Sequence, residues 1–96
     1  VLVVVTLLYT LTSVLAVARA VISVARALGL KIMIGCMTES SVLIGAAYQL
    51  APLVDWIDLD GNLLVKDDPF FFAPSVEGAV ALPDVPGTGV LPLSGM

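Results

Sequence analysis

Two short apolar runs, each closing on acidic or sulfur-bearing residues, constrain this chain more than any other feature: Leu30-Lys-Ile-Met-Ile-Gly-Cys-Met-Thr-Glu-Ser-Ser, then Val54-Asp-Trp-Ile-Asp-Leu-Asp-Gly. Strands buried on both faces read as continuous apolar runs rather than alternating ones, and they belong to parallel sheets. Where such strands close a (β/α)8 barrel, the chemistry sits on the residues just past their C-terminal ends. Cys36, Met37 and Glu39 follow the first run, and Asp58 and Asp60 close the second. Between the runs Ser40 or Ser41 can cap a helix that reaches about Ala51, where Pro52 stops it.

The same order extends upstream. Val14, Val17, Ala18, Val21, Val24, Ala25 and Leu28 follow the i, i+3, i+4, i+7 spacing, with Arg19, Ser23 and Arg26 on the opposite face. This predicts an amphipathic helix that starts near Thr12 or Ser13 and ends at Gly29 as its C′ residue. The β-branched run Val1-Leu-Val-Val-Val-Thr ahead of it then becomes a short buried strand. The front half reads β (1–8), α (13–28), β (30–35), α (41–51), β (54–58), an α/β alternation that implies a parallel sheet with right-handed crossovers. After Gly61 the pattern turns irregular: an Asp67-Asp-Pro-Phe-Phe-Phe corner, a weak strand at about Ala79 to Leu82, and the Pro- and Gly-rich stretch 83–89. The expected organisation is a partial barrel over 1–61 and a tail over 62–96.

A competing reading takes the uncharged stretch Val1 to Ala18, close to the minimum for crossing a bilayer, as a membrane segment. The product would then be a small membrane-anchored, non-enzymatic protein with an acidic tail. A signal peptide has less support, since no basic residue precedes the apolar run. The composition fits either a membrane segment or a piece of a larger interior: 59% hydrophobic and only 12% charged is too apolar to cover a free-standing domain of 96 residues. As a severed barrel portion it would expose open sheet edges and dissolve poorly.

Charge and residue inventory exclude several chemistries. A net charge of −4 with four cations leaves no basic patch for nucleic acid. One cysteine and no histidine rule out an internal disulfide, a Cys-x-x-Cys metal pair, and any Ser-His-Asp or Cys-His nucleophile built from this chain. A cytoplasmic location is the default expectation.

Asp58 and Asp60, two apart, point to one side roughly 7 Å apart if the strand continues through them. They could then accept charge-assisted hydrogen bonds from one ammonium group. The alternative is an acidic turn, since Asp-Gly is common punctuation. A calcium loop counted from Asp58 fails, because it puts Leu63 where glycine is required and Pro69 where the bidentate glutamate belongs. Glu39 reads either as a site wall or as a helix-start acid that complements the helix dipole. Cys36 reads as a small packed residue rather than a nucleophile, and Met37 as an apolar wall. Lys31 is expected in solvent at the bottom of the barrel, and Lys66 with Asp67 and Asp68 on a surface loop. Trp56 and Phe70 to Phe72 read as packing groups.

Three separated segments, Ala25 to Ser41, Leu50 to Leu64 and Leu82 to Val90, resemble the C-terminal end of the enolase superfamily. Within it they are most similar to the muconate lactonizing enzyme subgroup and its dipeptide epimerases of the L-Ala-D/L-Glu kind. The resemblance implies that Gly29 to Gly35 is the seventh barrel strand and that Val54 to Ile57 leads into the eighth. It implies that Asp58 and Asp60 hold the substrate's α-ammonium, that Gly35 to Ser40, with Cys36, Met37 and Glu39, lines the site, and that the tail returns towards a capping domain. It also implies a reaction in which the proton α to a carboxylate is abstracted, Mg2+ stabilises the enediolate, and two lysines exchange the proton.

The metal carboxylates and one of those lysines belong to earlier strands, upstream of Val1, so the Mg2+ ligands are not expected in this chain. The other lysine belongs near Leu7 to Tyr9, where none stands. Residues 1 to 18 also lack the Gly-Gly the pattern normally carries, which fits a mis-joined start, a degenerate remnant or a true divergence. The 96 residues alone are therefore expected to be inactive and to need the missing N-terminal barrel and capping domain before acting on a dipeptide.

Overall fold

The computed structural model describes residues 2–6 and 11–95. Strand β1 (Leu2–Thr6), helix α1 (Leu11–Ala27), strand β2 (Lys31–Gly35), helix α2 (Ser41–Tyr48) and strand β3 (Trp56–Asp58) alternate in the expected order. The three strands form one parallel sheet in the order β1-β2-β3. The predicted first strand also took in residues 1, 7 and 8, and the position expected for a lysine is 7–9; all of these lie outside the described residues.

The core lies between the sheet and the two helices. Ile32 and Ile34 of the middle strand are fully buried together with Ile44 of α2, and Ala18, Ile22 and Ala25 of α1 close over them with Ala47, Leu50 and Leu59. Alternate residues of β2, Lys31, Met33 and Gly35, are turned away from this core. Among the described residues, no helix is long and apolar enough to cross a membrane.

Helix α1 begins one or two residues before the predicted start and ends as expected. Gly29 has φ of 73°, a left-handed conformation that glycine adopts without a Cβ clash. Its N–H donates to the Arg26 carbonyl and that of Leu30 to the Ala25 carbonyl, both at about 3 Å, the bond pattern of a Schellman cap. The predicted apolar face, however, divides in two. Ala18 and Ala25 join Ile22 in the core, while Val17, Val24 and Leu28 are 60 to 69% exposed. The spacing i, i+3, i+4, i+7 picks out apolar residues without saying how many surfaces they serve.

At the N-terminal end of the sheet a single carboxylate joins three elements. Asp55 accepts a hydrogen bond from the Ile32 N–H (2.8 Å) and an ion-paired one from Arg26 (2.7 Å), while its own N–H donates to the Ile32 carbonyl. Lys31, expected in solvent, is largely exposed but also reaches Asp55 at 3.5 Å. The Ile32 N–H, opposed by partial burial and then helped by Arg26, holds the Asp55 carboxyl below the ordinary range.

Helix α2 ends at Tyr48, three residues short of the prediction, because Pro52 already sits in the first turn of a separate 3₁₀ segment, Ala51–Leu53. The tail then folds back over α2. Phe72 is buried, its ring 5.3 Å from that of Tyr48, and Phe72 and Val90 leave no room for a Cβ at Gly45. Gln49 donates to the Thr88 carbonyl. The tail also has regular pieces: β4 (Phe70–Phe71) pairs with β7 (Leu91–Pro92), and β5 (Ser75–Val76) with β6 (Ala79–Val80), the second pair across a Glu77-Gly78 turn with both φ values positive.

Candidate active site

The C-terminal ends of the three strands are level. Thr6 is in register with Gly35, and Gly35 with Asp58. Cys36 to Ser40 and Leu59 to Asp60 therefore leave the sheet side by side at the edge where a parallel barrel carries its chemistry.

Asp58 is the last strand residue and is exposed. The strand does not continue to Asp60, so the expected same-face pair on an extended backbone is not what forms. Leu59 turns into the core, 5% exposed, and Asp60, with φ −107° and ψ 4°, starts the 3₁₀ segment Gly61–Leu64. Both carboxylates stay at the same end of the sheet, Asp60 displaced towards the first loop.

That displacement brings Asp60 to Cys36. Backbone groups of Gly61 and Asp60 hydrogen-bond to the Cys36 sulfur, and the buried Gly61 lies so close to the Met37 carbonyl and the sulfur that it cannot carry a Cβ. The two loops are thus in direct backbone contact. Partial burial pushes the Cys36 thiol up, and the hydrogen bonds from Gly61 and Asp60 only partly offset it, with the charges of Asp60 and Glu39 pushing the same way as burial. The thiol stays protonated at neutral pH, a packing group rather than a nucleophile.

Glu39 is partly buried, and loss of solvent raises its carboxyl, with a hydrogen bond from the Met37 backbone opposing. Met37 is 56% exposed at the rim. Tyr48 was not singled out by the sequence. Tyr48 and Cys36 both pack against the core, and burial, followed by Cys36 once ionised at the high pH where a phenol titrates and by Asp60, raises the Tyr48 phenol. A lone Tyr eight residues into an apolar helix gave no signal of this.

The wall is fixed from behind by Ser41, Asn62 and Asp68. Ser40 occupies the cap position of α2 but its side chain makes no cap bond. Asp68 caps the helix instead: its Oδ2 accepts from the Ser41 N–H (2.7 Å) and the Ser41 hydroxyl (2.6 Å), and its Oδ1 from the Phe70 N–H (3.0 Å). Asn62 donates to the same hydroxyl at 3.2 Å. Burial works to raise the Asp68 carboxyl, but the Ser41 and Phe70 bonds outweigh it and hold it below the ordinary range. The expectation that Asp67 and Asp68 merely decorate a surface loop is therefore wrong for Asp68.

Electrostatically the two ends of the sheet differ. Both ion pairs among the described residues are on Asp55 at the N-terminal end, while Glu39, Asp58 and Asp60 end or follow the strands at the other. Among the described residues no group of three or more His, Cys, Asp or Glu is placed to hold a metal ion, so the residues here do not fit a Mg2+ site.

No family model matches the chain. It is 50% identical over 70 residues to the L-Ala-D/L-Glu epimerase of Bacteroides thetaiotaomicron, a match covering 73% of this chain and 18% of that protein. To a hydrophobic dipeptide epimerase of a Flavobacteria bacterium it is 48% identical over 69 residues, covering 72% and 20%. Among solved structures, a mandelate racemase/muconate lactonizing protein from Herpetosiphon aurantiacus superposes with a TM-score of 0.77 at 30% identity over 95% of this chain and 26% of its own. One of the same description from Roseiflexus gives 0.75 at 26% identity, covering 95% and 27%. The chain spans about a fifth of the length of the curated relatives it matches.

Proposed function

Because the chain belongs to the enolase superfamily, as a C-terminal portion of its (β/α)8 barrel with an irregular tail, we propose that it supplies the ammonium-binding rim of a dipeptide epimerase. Asp58 and Asp60 hold the substrate's α-ammonium, and Cys36, Met37 and Glu39 form the facing wall. The identity to dipeptide epimerases across the segments that carry these residues is the observation that supports this most. The electrostatics agree with it. Glu39, Asp58 and Asp60 lie at the same end of the sheet with no ion pair among the described residues reaching them, and the ionised form of Glu39 is already disfavoured by burial. A cation brought there offsets that cost.

The chain's own groups account for binding, not for proton transfer. Lys31 stands at the opposite end of the sheet beside Asp55, away from any substrate held by Asp58. Proton exchange and Mg2+ therefore belong to the rest of the barrel in this reading, and the tail over 62–96 continues towards its capping domain. The isolated 96 residues do not epimerise.

The test uses a full-length protein in which residues 25–96 replace the matching segment of the Bacteroides thetaiotaomicron epimerase. Asp60→Asn should raise KM for a dipeptide roughly tenfold to a hundredfold, the worth of a hydrogen bond to a charged group of about 1.5–3 kcal/mol. It should leave KM for the N-acetylated dipeptide, which lacks the cation, nearly unchanged. Equal losses on both substrates would remove the ammonium role.

A further inference from the structure

Asp60 stands where a turn ordinarily ties up an aspartate. It opens the 3₁₀ segment Gly61–Leu64, and its carbonyl accepts the Leu63 N–H at 2.9 Å, yet its side chain makes no cap bond. An aspartate at a helix start normally turns one oxygen onto an N–H of the first turn, a bond that steadies both the turn and the carboxylate. Here both are left to other supports, and a 3₁₀ piece this short has little strength of its own.

Three contacts among the described residues hold the turn. Leu59, just before it, is buried in the core; Gly61 packs on the Met37 carbonyl; and Asn62 donates to the Ser41 hydroxyl at 3.2 Å. Leu63 and Leu64 are exposed and contribute little. The first two contacts set how closely the turn approaches its neighbours. Asn62 adds a side-chain hydrogen bond, which is directional and so fixes how the turn is rotated.

The polarity of that bond is decided from its far side. Asp68 is held below the ordinary carboxyl range and is ionised at neutral pH, so it only accepts. The Ser41 hydroxyl hydrogen is therefore committed to Asp68 Oδ2 at 2.6 Å, and the hydroxyl oxygen must accept from whatever else reaches it. The amide nitrogen of Asn62 is the end that fits. Ser41 is itself buried in the first turn of α2, and Asp68 is anchored by the Ser41 and Phe70 N–H groups at 2.7 and 3.0 Å. An ordered chain of hydrogen bonds thus runs from the tail and α2 into the turn, and it ends two residues from Asp60.

We propose that Asn62 is a positioning residue for substrate binding: through the Ser41 hydroxyl it fixes the turn that aims the Asp60 carboxylate, leaving the oxygens of Asp60 free of a cap bond for a substrate cation. The proposal rests on the ammonium role given to Asp60 above. Asn62 acts through Asp60, with Ser41 and Asp68 as its support.

The test uses the full-length protein carrying residues 25–96 described above, a dipeptide and its N-acetylated form, and a double-mutant cycle. Asn62→Ala should raise KM for the dipeptide about threefold to tenfold, the worth of one neutral hydrogen bond, with kcat and the KM of the N-acetylated form nearly unchanged. In the Asp60→Asn background the same substitution should add less than about twofold, because the group it positions is gone. Ser41→Ala removes the bond from its other end and should reproduce the selective rise; it takes the place of Asn62→Ala if that variant loses its circular dichroism signal. If Asp60→Asn discriminates the two substrates while Asn62→Ala leaves KM unchanged, raises it for both alike, or adds in full to Asp60→Asn, the positioning role falls and the ammonium role stands. A selective effect of Asn62→Ala that Ser41→Ala does not share overturns the route through the hydroxyl. If Asp60→Asn itself does not discriminate the two substrates, both roles fall.

Discussion

Asp68 receives both the N–H and the hydroxyl of Ser41 on one carboxylate oxygen, 27 residues away in sequence. Helix caps are recognised in a sequence because the accepting oxygen is normally local, three residues or fewer from the N–H it serves. Here Ser40 and Ser41 gave the right place and the wrong acceptor. Removing the carboxylate leaves a buried hydroxyl and an orphan helix N–H, so Asp68→Ala should lower stability by about 1–2 kcal/mol, read as a lower urea midpoint with an unchanged slope. Gly61 presents the opposite problem, a contact too close rather than a partner too far. Its missing Cβ admits the Met37 carbonyl, and a backbone atom cannot step aside as a side-chain tip can. Gly61→Ala should destabilise by about 1–3 kcal/mol, as overpacking does, and should raise the rate at which a thiol reagent modifies Cys36 by loosening the loop against it. An unchanged modification rate would mean that the two loops are held together by something else. The Asp-Gly pair was legible as a turn, but what the turn presses against was not, because that depends on the register of two strands.

At the level of elements, periodicity was a sound guide to type and a poorer guide to partner. The two helices and three parallel strands were readable from apolar spacing and from the glycine and proline that punctuate them. The division of α1 into a core face and an exposed apolar face was not, since both are apolar and both repeat at helical spacing. The early end of α2 was missed because Pro52 can open a 3₁₀ turn as well as stop a helix. Its final turn instead gives way at Gln49, whose amide donates to the Gly45 carbonyl and to the tail. In the tail the weak strand expected at about Ala79 to Leu82 is β6 (Ala79–Val80), while β4 and β7 were missed because each is only two residues long and its partner lies far along the chain.

For the molecule as a whole, acid is the informative perturbation. Asp55 and Asp68 both have carboxyls held below their ordinary values, and together they join α1, β2, β3, α2 and the tail. With folded values below the unfolded value of about 3.9, the unfolded chain takes up more protons in the acid range, so stability falls as pH falls. Their contribution is complete above about pH 5 and drains away as pH drops through about 4 and below. Glu39, raised by burial, acts the other way, since protonating it relieves a cost. Two groups against one predict a denaturation midpoint that is flat from neutral pH to about 5 and then declines. The Asp55→Asn, Asp68→Asn double variant should begin lower and decline less. A variant that declines as steeply as the original would place the acid sensitivity elsewhere.

Asp55 also acts as the zero mark of a ruler. By taking the Ile32 N–H in place of a carbonyl, it fixes where β3 starts against β2, and three residues later the strand delivers Asp58 level with Gly35. Strand side chains alternate, so one residue inserted or deleted between the mark and the tip would turn Asp58 to face the helices. The length of this four-residue span is therefore as much a part of the rim as the carboxylate at its end.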